Sequence, residues 1–164
     1  MKRSYALIVL FLFLACSRPM PPTTFILLRH AEKTSDGTDD PDLKAEGTKR
    51  AQRLTELLKD TQVDGIYATN FKRTHQTVEP LAEEKKLEVL QYEAFKADEI
   101  ENMLHTHRGG TVVVCGHTNN IPWTANLLMG KDEFDDYGES QYGILMIVTV
   151  VEKGSNAKVI RLSY

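Results

Sequence analysis

Two short apolar runs, Phe25-Ile26-Leu27-Leu28 and Val112-Val113-Val114-Cys115, constrain this chain more than anything else in it. The first reads as a buried strand, and the unbroken valines of the second ask for burial on both faces of a sheet. Amphipathic segments lie between such runs. "LKAEGTKRAQRLTELLKD" sets Ala51, Leu54, Leu57 and Leu58 at helical spacing, and "NFKRTHQTVEPLAEEKK" does the same with Phe71, Val78 and Leu81, Pro80 being expected to kink or break it. "VDGIYAT" and "LEVLQY" are further strands, "KADEIENMLHTH" a helix burying Ile100, Met103 and Leu104, and "TNNIPWTANLLMGK" a helix capped by Asn or Thr and stopped at Gly130. "YGILMIVTVV" and "AKVIRLSY" close the chain as a hairpin around "EKGSNA". This alternation predicts an α/β fold with a mostly parallel sheet and an antiparallel C-terminal strand pair.

The 164 residues suit one domain, but residues 1–15 stand apart from it. Lys2 and Arg3 precede an apolar run over 6–15 that is short for a bilayer span and flanked like a secretory signal. Leu14-Ala15-Cys16 resembles a bacterial lipobox, with Phe13 where leucine is usual, so lipidation at Cys16 is expected. The Pro-rich stretch over 16–23 is read as a tether and 24–164 as the folded domain, exported to the bacterial envelope or periplasm and held to the membrane by its lipid. Without Lys2 and Arg3 the 20 basic residues fall to 18 against 23 acidic, a formal charge of −5, which argues against nucleic acid as a partner. Cys115 then has no intramolecular disulfide partner.

In an open parallel sheet, ligands bind beyond the carboxyl ends of the strands. Just past three strands stand Arg29-His30, "ATNFKR" with Arg73, and Gly116-His117, while His75, His105 and His107 show no such placement and are read as surface residues. Each of the four taken alone has a structural reading, a solvated arginine or a hydrogen-bonding histidine. Their coincidence at one end of the sheet, in a chain with five histidines, points to a phosphoryl site. Two guanidiniums hold phosphate oxygens, a neutral imidazole is a nucleophile toward phosphorus, and a second imidazole, if protonated, stabilises the transferring group. That chemistry requires neither metal nor cofactor.

"LLRHAEK", "LKAEGTKRAQRL", "YATNFKRTHQT" and "VVVCGHTNNIP" resemble, in order and spacing, the blocks of the histidine phosphatase superfamily. The resemblance runs from Phe25 to the C-terminus and implies the phosphoglycerate mutase-like three-layer α/β/α sandwich. It implies that His30 is the nucleophile that becomes phosphohistidine, with Arg29, Arg73 and His117 completing the phosphate pocket. Ala31 replaces the family's common glycine, and Ala68-Thr69-Asn70 replaces its usual serine block, Thr69 keeping a hydroxyl to reach the phosphate. Asn119 is expected to add a donor. The general acid is the least defined part: Glu93, after "LEVLQY", is the first candidate and Asp98 the second, while Glu32 and Lys33 are read as loop charges.

Other chemistries fit less well. His30-x-Glu32 with His117 imitates a zinc centre but lacks the cysteine block of the zinc deaminases. Cys115 lacks the arginine that cysteine phosphatases carry six residues on, Ile121 standing there, and reads as a small buried hydrophobe. No Gly-rich nucleotide loop is present. A metal-independent phosphomonoesterase acting on a small phosphorylated substrate is the expectation. A phosphohistidine-protein phosphatase and a non-catalytic phosphoryl-binding lipoprotein are the alternatives. Specificity is assigned to the loops over 34–42 and 132–139, and activity is expected to fall in acid as His30 protonates.

Overall fold

The computed structural model describes residues 19–154 and 156–164. Residues 1–15, read above as a signal, and Cys16 lie outside the described residues, and among those described no helix is long and apolar enough to cross a membrane. The elements follow in the order β1 (Thr23–Arg29), α1 (Ala45–Leu58), β2 (Gly65–Ala68), α2 (Lys72–Lys85), β3 (Val89–Gln91), α3 (Ala97–Thr106), β4 (Thr111–Gly116), α4 (Asn120–Met129), β5 (Ile144–Val150) and β6 (Lys158–Ser163). One six-stranded sheet carries the order β3-β2-β4-β1-β5-β6. β1, β2, β3 and β4 run parallel, whereas β5 is antiparallel to β1 and β6 to β5.

β1 and β4 are the middle of this sheet, which is why their runs do not alternate. Phe25, Leu27, Val112 and Val114 face a core shared with Ile100 and Met103 of α3 and Ile121, Ala125 and Leu128 of α4. Ile26, Leu28, Val113 and Cys115 face the opposite core, with Leu54 and Leu58 of α1 and Val78, Leu81 and Ala82 of α2. Two helices cover each face, completing the three-layer sandwich. Each buried strand residue of this size contributes about 1.5–3 kcal/mol of apolar transfer.

Three local expectations are corrected. Leu57 is exposed, because Ala51, Leu54 and Leu58 alone fill the width that α1 presents to the sheet. Phe71 is also exposed, standing at the N-cap of α2 rather than on its buried face. Pro80 neither breaks nor ends α2, which runs on to Lys85 and closes on left-handed Lys86 at φ 56°.

The register of β1 on β4 pairs Arg29 with Gly116, and the chain leaves both strands together, His30 N–H donating to the Gly116 carbonyl at 2.9 Å. Across this junction α1 approaches the loop after His30 backbone to backbone. A Cβ on Gly47 would stand 2.2 Å from the Glu32 carbonyl oxygen, and Lys44 N–H already donates to that oxygen at 3.0 Å. Glycine is required here by space. Gly47→Ala is expected to destabilise the protein by about 1–3 kcal/mol, the range for overpacking a rigid contact, as measured by chemical denaturation.

Candidate active site

The ends of β1, β2 and β4 bring Arg29, His30, Thr69 and His117 together, and the first turn of α2 adds Arg73. His30 and His117 meet edge to face with ring centroids 5.4 Å apart. His30 is 3% exposed, and its Nδ1 lies 2.8 Å from the Ala31 carbonyl. A carbonyl only accepts, so Nδ1 carries the proton and Nε2 keeps its lone pair. Ala31 itself is pinned from α2, its N–H donating to Thr77 Oγ1 at 2.9 Å.

Burial lowers the His30 pKa from 6.5 to about 3, with the charges of His117, Arg29 and Arg73 acting in the same direction. Burial followed by Arg73 and Arg29 lowers His117 to about 4. Both imidazoles are therefore neutral at pH 7. This places the protonation of His30 far below the ordinary histidine range.

Arg29 is 1% exposed, and its Nη1 donates to the carbonyls of Gly138, Glu139 and Gln141 at 3.1, 2.9 and 3.2 Å. The Tyr142 ring covers it at 4.0 Å. Only the Nε–Nη2 edge remains for a ligand: Nη2 reaches Glu139 Oε2 at 3.4 Å, and Nε is buried without a partner. Arg73 lies 4.2 Å over the Phe71 ring, its Nη1 3.3 Å from the Asp39 carbonyl, and its Nε is likewise buried and unpartnered. Two buried cationic donors without a protein acceptor cost several kcal/mol if left unpaired, and an anion is the kind of partner that both could take.

The remaining residues singled out from the sequence are distributed differently. Thr69 Oγ1 donates to Thr74 Oγ1 at 3.2 Å and lies 2.8 Å from His117 Nε2, so it accepts from that ring and orients it. Asn119 caps α4, its Oδ1 accepting from Asn120 N–H at 2.9 Å. The amide facing the site is that of fully buried Asn120: its Oδ1 accepts from His117 N–H at 2.6 Å and its Nδ2 donates to Tyr92 Oη at 2.8 Å. Glu93 lines a cleft of about 300 Å³ with Thr69, Phe71 and His117. It is 67% exposed and lies 3.7 Å from Lys96. Asp98 sits in the first turn of α3, outside that cleft.

Glu32 is not a loose loop charge. It accepts from Arg50 Nη2 and Nε at 2.6 and 2.9 Å, which ties the segment after His30 to α1 and occupies the carboxylate that a zinc reading would need. His107 is half-buried against Tyr67 Oη at 2.9 Å. The Cys115 thiol is fully buried and its pKa is pushed up by burial, so it is no nucleophile. Thr74, Thr77, Asn120, Tyr92 and Tyr142 went unnoticed in the sequence. The only signal was three buried polar types, Thr, Asn and Tyr, close to motif residues.

Residues 25–99 match the model of the histidine phosphatase superfamily, branch 1. Phosphoserine phosphatase 1 of Hydrogenobacter thermophilus is 37% identical over 94 residues, which are 54% of this chain and 42% of that protein. The chain thus spans less than half the length of this curated relative. Among solved structures, the protein histidine phosphatase SixA complexed with tungstate superposes with a TM-score of 0.69 at 14% identity, covering 85% of this chain and 96% of that one. Phosphoglycerate mutase from Bacillus anthracis superposes with a TM-score of 0.66 at 15% identity, covering 88% and 94%. Residues 25–99 are thus similar to the histidine phosphatase superfamily, and the fold is phosphoglycerate mutase-like.

The lowered imidazole pKa values make acid sensitivity a property of the site. The unfolded chain takes up these protons near 6.5, the folded protein only near 3 and 4, so in that interval the unfolded state binds more protons and acid favours it. Stability should fall from pH 7 toward pH 5, above the range in which the carboxylates titrate. A His30→Asn/His117→Asn variant should show a flatter denaturation profile across this interval. Imidazole NMR titration should place neither midpoint near 6.5.

Proposed function

We propose that this protein is a metal-independent phosphatase that hydrolyses phosphomonoesters through a phosphohistidine on His30. The observation that carries the reading is the pairing of a neutral imidazole, its tautomer set by Ala31, with two buried unpartnered arginine Nε groups. The free edges of Arg29 and Arg73 hold the equatorial oxygens of the phosphoryl group. The His30 Nε2 lone pair forms the P–N bond as the P–O bond to the leaving group breaks. Water then attacks phosphorus, the P–N bond breaks, inorganic phosphate leaves and neutral His30 returns. A bound dianion opposes the arginine charges and raises the His117 pKa, so that this imidazole supplies a further proton donor to the phosphoryl oxygens.

Glu93 is assigned as the acid that protonates the departing oxygen. Its exposure, and its pairing with Lys96, also favour a second reading, phosphohistidine-protein phosphatase activity, because a good leaving group needs little help from an acid. The SixA fold likeness adds weight to that reading without deciding it. We further assign the protein to the cell envelope, exported by residues 1–15 and anchored through a lipid on Cys16. This assignment rests on the sequence pattern alone.

Protein lacking residues 1–16 should hydrolyse an activated aryl phosphate, and His30→Ala should reduce turnover to background. Quenched wild type should carry an acid-labile, base-stable phosphate that His30→Ala lacks, and no such adduct during turnover would refute the mechanism. In Glu93→Gln, alkyl phosphates should lose about 100-fold in kcat while aryl phosphates and phosphohistidine peptide hold. Because burial sets the His30 pKa at about 3, the acid limb of kcat/KM from this group should lie near that pH and not near 6.5.

A further inference from the structure

The cationic floor of the pocket is ringed by carboxylates. Asp40 Oδ1 lies 3.7 Å from Arg73 Nη1, Glu139 Oε2 lies 3.4 Å from Arg29 Nη2, and Glu93 lines the cleft beside His117. All three side chains are exposed, Glu139 to 89%, so they stand at the mouth while the guanidiniums lie beneath. The neighbouring ammonium groups already face carboxylates, Lys72 with Asp42 and Lys96 with Glu93, each at 3.7 Å. The wall of the cleft is apolar in part. Phe71 is 37% exposed, its ring edge-on to His117 at 5.1 Å and backed by Arg73.

These features sort the ligand by the charge of what is attached to the phosphoryl group. A phosphoryl dianion satisfies the two buried Nε groups. A second anion on the same molecule would stand beside Asp40 and Glu139, while the neighbouring Lys72 and Lys96 are paired with Asp42 and Glu93. Resting on the phosphatase reading, we propose that the site selects phosphomonoesters whose leaving group is apolar and carries no negative charge. Esters whose leaving group bears a carboxylate or second phosphate are disfavoured. Phe71 is the contact surface for the apolar part, and Asp40 and Glu139 supply the exclusion. The rim is solvated, so the discrimination is screened by salt over about 8 Å at physiological ionic strength.

Two phenolic esters of matched leaving-group chemistry test this: tyramine phosphate, which carries an ammonium, and the phosphate ester of 3-(4-hydroxyphenyl)propionate, which carries a carboxylate. In low salt the first should exceed the second about tenfold in kcat/KM, with the gap narrowing in high salt. Asp40→Asn/Glu139→Gln should bring the ratio toward one, and Phe71→Ala should raise KM for both esters without changing their ratio. Equal or inverted rates, or a ratio unmoved by the double variant, overturn the proposal. Should neither ester turn over, the phosphatase reading fails, and calorimetric binding of benzylphosphonate against 4-carboxybenzylphosphonate then decides the selectivity. Equal affinity for the two phosphonates would overturn it.

Discussion

The buried guanidinium of Arg29 is the interaction on which the rest of the site depends. A full charge that is 1% exposed must be answered on every side, and here the chain answers it with three carbonyls of residues 138–141 and the face of Tyr142. This ties the loop before β5 to the end of β1. It also leaves the guanidinium Nε buried without a protein partner. The same field from Arg29 and Arg73, added to burial, keeps both imidazoles neutral. The unpartnered Nε and the neutral imidazoles thus have one physical origin.

Around this charge the side chains act mostly by holding others in place. Ala31 and Thr77 hold the segment carrying His30, Asn120 and Tyr92 hold the turn carrying His117, and Thr69 holds its ring. Glu32 and Arg50 brace the same segment from α1, where Gly47 allows the helix to come within van der Waals range. A reacting group placed to within a fraction of an ångström needs such support, since misplacement by about 1 Å can cost two orders of magnitude in rate.

The fold was legible because its signals are periodic. Unbroken apolar runs at residues 25–28 and 112–115 marked the central strands, and helical spacing at Ala51, Leu54 and Val78 marked the covering layers. Leu57 and Phe71 were misread because a stripe identifies a face but not its width. The break allowed for at Pro80 does not occur, because context overrides local propensity within an established helix. The resemblance named Arg29, His30, Arg73 and His117, and the structure gathers all four. It also places Asn120, unnoticed in the sequence, in the core beneath the His117 turn, while the Asn119 side chain caps its own helix.

By itself the sequence determined the order of strands and helices, the strand ends at which chemistry can stand, and the residue types able to hold and attack a phosphoryl group. These follow from hydrophobic periodicity and from the donor and acceptor inventory of single side chains. Only the tertiary structure decided the protonation of His30 and His117, the single free edge of Arg29, the lock of Glu32 on Arg50 and the exposed position of Glu93. The physical reason is that desolvation and pairing are sums over neighbours distant in the chain, as when residues 138–142 close over Arg29, and such sums exist only once the chain has folded.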